Sequence, residues 1–310
     1  MRWELAGFIL VFAAACGPSS RTTPSVDGGD GDRADGAPWT GRSDGGTCTE
    51  VVDVVLALDV SSSMGFVLDD LERDIHQVVD AANELAPDAH FGLIAFADNH
   101  LLDDTGDLEG GRVHTQSSTL VSAFRHIEST YTNANRNPGD GPGGPTLQNP
   151  ICEENSLDAL HAAAADFPWR DDATRVVILA TDDTFLERPD NYGDRDGDGD
   201  TTSNTFPREG DYPAAWTVPE TTAALTGAGA RVFSFTRLDP PSFLERCDTP
   251  RRLDWQDITD GWTTPYGGEA PIPDATDGRN YDLAEVQDGS LSLADTISEV
   301  VVESHCNPVD

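Results

Sequence analysis

The chain has 310 residues, 37% of them hydrophobic, and a formal charge of −37 from 56 acidic against 19 basic residues. That length and apolar content support one large domain or two small ones with a sizeable core. The charge excludes nucleic acid and anionic membrane surfaces as partners and attracts divalent cations. All basic residues are arginine, and most of the carboxylates read as a solvated acidic surface.

Arg2 opens a short leader, and Leu5 to Ala15 is an apolar run of eleven residues, well short of the ~20 needed to cross a bilayer. It ends in Ala13-Ala14-Ala15-Cys16-Gly17, which resembles a bacterial lipobox. Residues 1–16 are therefore expected to be a lipoprotein signal peptide with a lipidated Cys16. The chain would then be exported and lipid-anchored to a bacterial membrane, most naturally the outer one, facing the periplasm or the cell surface. The alternative is an ordinary signal peptide cut near Ala15. Residues 17–47 are rich in Gly, Ser, Asp and Thr, with Val26 and Trp39 their only large apolar side chains. They are expected to be a disordered linker holding the domain on the order of 30 Å from its anchor.

Four cysteines remain: Cys48, Cys152, Cys247 and Cys306. An even number in an exported chain suggests two disulfides with three possible connectivities. Pairing Cys48 with Cys306 is expected because domain termini often lie close together; Cys152 would then take Cys247. No zinc-type spacing accompanies the scattered histidines.

Within the folded region, residues 48–306, Val51 to Leu58 is a β-branched apolar run that suits a strand buried on both faces. Phe66 to Leu85 has helical spacing, and His90 to Phe96 reads as a strand. Helix is expected from Thr119 to Ile127, a long loop over 131–150, and helix again from Glu154 to Ala165. Arg175 to Thr181 is a second buried strand. Pro219–Leu225 (helix), Arg231–Phe235 (strand) and Leu291–Val302 (helix) complete the pattern. This alternation predicts a doubly wound α/β domain, Rossmann-like, with a mostly parallel sheet flanked by helices. Insertions are expected at about 131–152, 183–217 and 238–280. The last contains Trp255, Trp262 and Tyr266, read as the core of an irregular segment rather than as an exposed patch.

Ligands in such sheets bind beyond the carboxyl ends of the strands. Asp59-Val60-Ser61-Ser62-Ser63 follows the first strand and Asp182 follows the RVVILAT strand. A carboxylate and two hydroxyls spaced D-x-S-x-S offer hard oxygen donors to Mg²⁺, Mn²⁺ or Ca²⁺. The competing reading of the serines is a helix N-cap. Together these segments resemble the metal-ion-dependent adhesion site of von Willebrand factor A (VWA) domains. The resemblance implies that Asp59, Ser61, Ser63 and Asp182 hold the metal. The family's further threonine lies six residues before the leucine of a helical Ala-Leu. Here that dipeptide is Ala159-Leu160, and Glu154 stands in the threonine's place. The surrounding Cys152-Glu153-Glu154 resembles a VWA subset with a C-P-E motif. Thr146 is a second candidate if its loop folds back.

Asp194, Asp196, Asp198 and Asp200 have the alternate-carboxylate spacing of a calcium loop, but Thr205 stands at the twelfth position. A Ca²⁺ there would order the 183–217 insertion; the competing reading is a flexible acidic loop. No G-x-S-x-G elbow is present, so no enzymatic role is expected. The VWA resemblance implies a cation-dependent adhesion or protein-binding module, its protein ligand contributing an acidic residue. The alternative is a metal-stabilised scaffold of an envelope complex with a closed, non-adhesive site.

Overall fold

The computed structural model describes residues 51–139, 147–148, 153–188, 214–239 and 256–305. Cys16, Cys48, Cys152, Cys247 and Cys306, Thr146, Trp255 and the Asp194, Asp196, Asp198 and Asp200 loop lie outside them.

Among the described residues, six strands form one sheet in the order β3-β2-β1-β4-β5-β6. They are β1 (Val52–Asp59), β2 (His90–Phe96), β3 (His100–Leu102), β4 (Thr174–Ala180), β5 (Ala230–Thr236) and β6 (Arg279–Asp282). β3 runs antiparallel to β2 and every other pairing is parallel. All eight residues of β1 are buried, because helices cover both faces of a parallel sheet. Val52, Val54, Leu56 and Leu58 face one layer, built from α1 (Gly65–Leu85), α2 (Ser117–Ile127), α6 (Leu283–Asp288) and α7 (Leu293–His305). Val55 and Ala57 face the other, built from α3 (Ser156–Ala165), α4 (Val218–Gly227) and α5 (Ile272–Ala275).

Local chemistry explains the element ends. α1 stops at Leu85 because Ala86, extended at φ −139° and ψ 109°, precedes Pro87 and is barred from the helical region. α4 begins at a reciprocal capping box between Thr217 and Glu220, which satisfies two otherwise free N–H groups. In β2, Gly92 makes room for a ring: a Cβ there would lie 2.5 Å from Phe167 Cε2. At the N-terminal end of β1, buried Asp53 accepts from Arg170, both from its backbone N (2.8 Å) and from Nε (2.8 Å).

Two expectations change. The helix read from Glu154 starts at Ser156, leaving Glu153 and Glu154 in extended chain. Tyr131 and Thr132, read as loop, close a π-helical turn, Glu128–Thr132, continuing α2. β3 and β6, three and four residues long, were not foreseen. Such short edge strands carry too little periodicity to be read. The 238–280 segment supplies α5 and part of β6. Its Trp262 is buried edge-on against Phe185, ring centres 5.7 Å apart, and Phe185 also meets Tyr266 edge-on at 5.1 Å.

Candidate metal centre

From β1 the chain proceeds outward through β2 to β3, then returns to the other side of β1 for β4, β5 and β6. The strand order reverses between β1 and β4. Loops leaving the carboxyl ends of two such strands diverge to opposite sides and open a crevice, the usual ligand position in doubly wound sheets. Asp59 ends β1 and Asp182 lies two residues past β4, so both carboxylates stand at that crevice.

The loop after β1 is held by its own backbone. Val60 N donates to Phe96 O at 2.8 Å. Val60 O receives Thr132 Oγ1 at 3.0 Å and Gln148 Nε2 at 3.2 Å. The π turn therefore has a local purpose: it delivers Thr132 to the carbonyl behind the serine loop. Ser62–Met64 form a single 3-10 turn before α1. Neither Ser61 nor Met64 makes a side-chain cap hydrogen bond at the helix start, which disfavours the N-cap reading of the serines.

Their hydroxyls point instead across the crevice. Ser61 N donates to Asp59 Oδ1 at 2.7 Å. Ser61 Oγ and Ser63 Oγ are 3.0 Å apart, and Ser63 Oγ donates to Asp182 Oδ1 at 3.1 Å. Thr181 Oγ1 donates to Asp59 Oδ2 at 3.0 Å. Residues 119 positions apart in the chain thus share one hydrogen-bonded chain of oxygens. Four of the five sequence-predicted ligands, Asp59, Ser61, Ser63 and Asp182, are brought together in this way.

The fifth, Glu154, arrives by a different route. Its N–H donates to Thr184 O at 3.0 Å, its carbonyl receives Leu186 N at 3.0 Å, and Asn155 N donates to Ala97 O at 2.8 Å. Residues 153–155 therefore stitch the loop after β2 to the loop after β4. On the β2 side, Asn137 Nδ2 donates to Asp98 Oδ2 at 2.8 Å and Asn137 Oδ1 accepts from Asp98 N at 3.1 Å. The Glu154 side chain is 7% exposed.

Crowded, buried carboxyls resist ionisation. Burial, and then the neighbouring Asp182, push Asp59 up to about 7 against the hydrogen bonds of Ser61 and Thr181. Burial drives Glu154 well above the usual carboxylate range, with Asp59, Asp98, Asp183 and Asp182 adding to it. Asp183 is raised strongly by burial and by Asp182. Asp182 is raised by burial, and the Arg237 guanidinium and Ser63 act against that. Glu154 Oε2 and Asp182 Oδ2 are buried without a hydrogen-bond partner. Among the described residues, no three His, Cys, Asp or Glu side chains form a ready ligand group. The donor set here is two carboxylates and two hydroxyls, with Glu154 in electrostatic reach.

Sequence reading missed Arg237, Asp98, Asp183, Thr132 and Gln148. Arg237 and Asp183 were findable by the strand-end rule, since each lies within a few residues of a buried strand's carboxyl end. Thr132 and Gln148 carried no signal, because they act through a backbone carbonyl that is distant in sequence.

The sheet order and its switch-point crevice define an α/β protein of Rossmann-like architecture. No protein-family model matches the chain, and no curated protein matches it. Among solved structures it is similar to an aerotolerance-related membrane protein from Bacteroides fragilis, with a TM-score of 0.40 and 15% identity over 82% of this chain and 98% of that one. It is also similar to proximal thread matrix protein 1 from the mussel byssus, with a TM-score of 0.41 and 12% identity over 84% of this chain and 48% of that one. No described helix is long and apolar enough to cross a membrane.

Proposed function

We propose that this chain is a VWA-type binding module, not an enzyme, that holds a divalent cation at Asp59, Ser61, Ser63 and Asp182 and engages a protein partner at that rim. One observation carries the reading: the hydrogen-bonded run from Ser61 through Ser63 to Asp182, set beside buried Asp59 at the topological switch point. The residues suit the ion. All donors are hard oxygens, as Mg²⁺, Mn²⁺ and Ca²⁺ require. Asp182 Oδ2 is buried without a hydrogen-bond partner, with Arg237 Nε 4.0 Å away, so it keeps lone pairs for an ion. When bound, the cation would supply positive charge at the rim, able to attract an acidic side chain of the partner.

The chain's residues have separable tasks in this reading. Asp59 and Asp182 neutralise the ion, and Ser61 and Ser63 orient around it. Thr181 fixes the Asp59 carboxylate, and Thr132 with Gln148 holds the loop in place. With a lipidated Cys16 and the 17–47 tether, the module would act from a bacterial envelope membrane. The disulfides Cys48–Cys306 and Cys152–Cys247 would brace it, and a Ca²⁺ in the Asp194–Asp200 loop would shape the partner surface.

A second reading, a closed metal-stabilised scaffold, is favoured by the burial of Glu154, whose carboxylate would fill the sphere from within. Calorimetry with Mg²⁺ and Ca²⁺ on the wild type and on Asp59→Asn tests the metal site. Binding should be measurable in the first and lost in the second; equal binding in both overturns it. Capture of envelope proteins with and without EDTA separates the two readings. EDTA-sensitive capture supports the adhesive module, and an EDTA effect on melting temperature alone supports the scaffold.

A further inference from the structure

The crevice already contains a cation of the protein's own. Arg237 lies one residue past β5 and is 8% exposed. Its Nη2 donates to Gln287 Oε1 in α6 at 2.5 Å. Its Nε stands 4.0 Å from Asp182 Oδ2, close enough for Coulomb attraction but too far for a hydrogen bond. Both atoms are buried and lack a hydrogen-bond partner. Asp182 is therefore shared: Oδ1 takes the Ser63 hydroxyl and Oδ2 faces the guanidinium. Gln287 is neutral, so it positions the guanidinium without cancelling its charge.

We propose that Arg237 is a built-in competitor for the cation at Asp182. It compensates that carboxylate when no divalent ion is bound and lowers the affinity for one, setting the concentration at which the site fills. The inference rests on the divalent-site reading above. Two physical features support it. A guanidinium stays charged at every physiological pH, so the competition is constant and does not depend on titration. The hydrogen bond to α6 holds the charge in the crevice, so an entering divalent ion meets fixed positive charge a few ångströms away.

The test uses the full chain as wild type, Arg237→Gln, Arg237→Lys and Asp59→Asn. Mg²⁺ and Ca²⁺ affinities come from calorimetry, and melting temperatures are taken in EDTA and at saturating cation. Removing a like charge at this range should tighten cation binding about tenfold in Arg237→Gln. Arg237→Lys keeps the charge and should stay near wild type. Arg237→Gln should melt below wild type in EDTA, and the gap should close or reverse at saturating cation. A variant that folds only with cation present also supports the proposal. A residue that merely props the β5–α6 connection would lower melting equally in both conditions and leave affinity unchanged. That result overturns the proposal alone. Absence of Asp59-dependent binding in both the wild type and Arg237→Gln overturns the divalent-site reading together with it.

Discussion

Glu154 illustrates how one residue's role turns on its backbone. Read as the first residue of a helix, an acid there would be explained by the helix dipole. It lies instead two residues before α3, laced to Thr184 and Leu186, with its carboxyl buried among other carboxyls. In the divalent-site reading proposed above, that placement would make it a counter-charge for a cation rather than a cap. Glu154→Thr should therefore weaken Ca²⁺ and Mg²⁺ binding on the order of tenfold, as lost supporting groups at metal sites do. It should also raise the stability of the cation-free protein, since one reluctant buried carboxyl is gone. Calorimetry and melting in EDTA read the two effects, and unchanged affinity for both metals would sink the role. That Asp59, Ser61, Ser63 and Asp182 would meet was legible without coordinates, because each lies at or just past the carboxyl end of a buried strand. The strand-end rule could place Arg237 near the crevice but not give its role, because that depends on Asp182, 55 positions earlier.

At the scale of elements, the buried strands and amphipathic helices were legible because their apolar period is set within the segment itself. β1, β2, β4, β5 and the helices α1, α2, α4 and α7 fall within a few residues of their expected bounds. The failures share a cause. β3, β6 and the 153–155 stitch are too short to show a period; β3 pairs with its neighbour β2, while β6 and the stitch bond to segments far along the chain. Packing constraints of the same long-range kind act at Gly92, whose missing side chain accommodates the Phe167 ring under α3. Gly92→Ala should destabilise the domain by about 1–3 kcal/mol through overpacking. Chemical denaturation measures this, and a loss below about 0.5 kcal/mol would show that Phe167 can move aside. Shortening the neighbour with Phe167→Leu should recover part of the loss.

For the molecule as a whole, pH acts through two sets of groups with opposite sign. Burial holds His90, His100, His161 and His305 below the ordinary histidine value. Above pH ~6.5 these are neutral in both folded and unfolded chains and contribute nothing to the pH slope. As pH falls below that, the unfolded chain binds protons that the folded chain refuses, so stability drops until the folded values are passed. The raised Asp59, Glu154, Asp182 and Asp183 oppose this in the cation-free protein: their contribution is present at low pH and fades as pH rises through the folded values. A single substitution isolates one limb. For His100, burial is the leading cause, His161 adds to it, and Asp158 and Asp166 oppose it. His100→Gln should lose less stability than wild type on going from pH 7 to pH 5. Equal losses would mean that His100 protonates freely in the folded state.

The sequence by itself determined the α/β class, the main strands and helices, and the loop at which a cation reading begins, because apolar period and strand-end chemistry are local properties. Only the tertiary structure decided the sheet order, and with it the switch point between β1 and β4. It also decided that Glu154 stands outside its helix, and that Asp182 divides between a serine hydroxyl and an arginine. Those facts depend on which distant segments hydrogen-bond and which charges are buried together. Burial raises the strength of such charge contacts well above their value in water, yet leaves no period in the chain to be read.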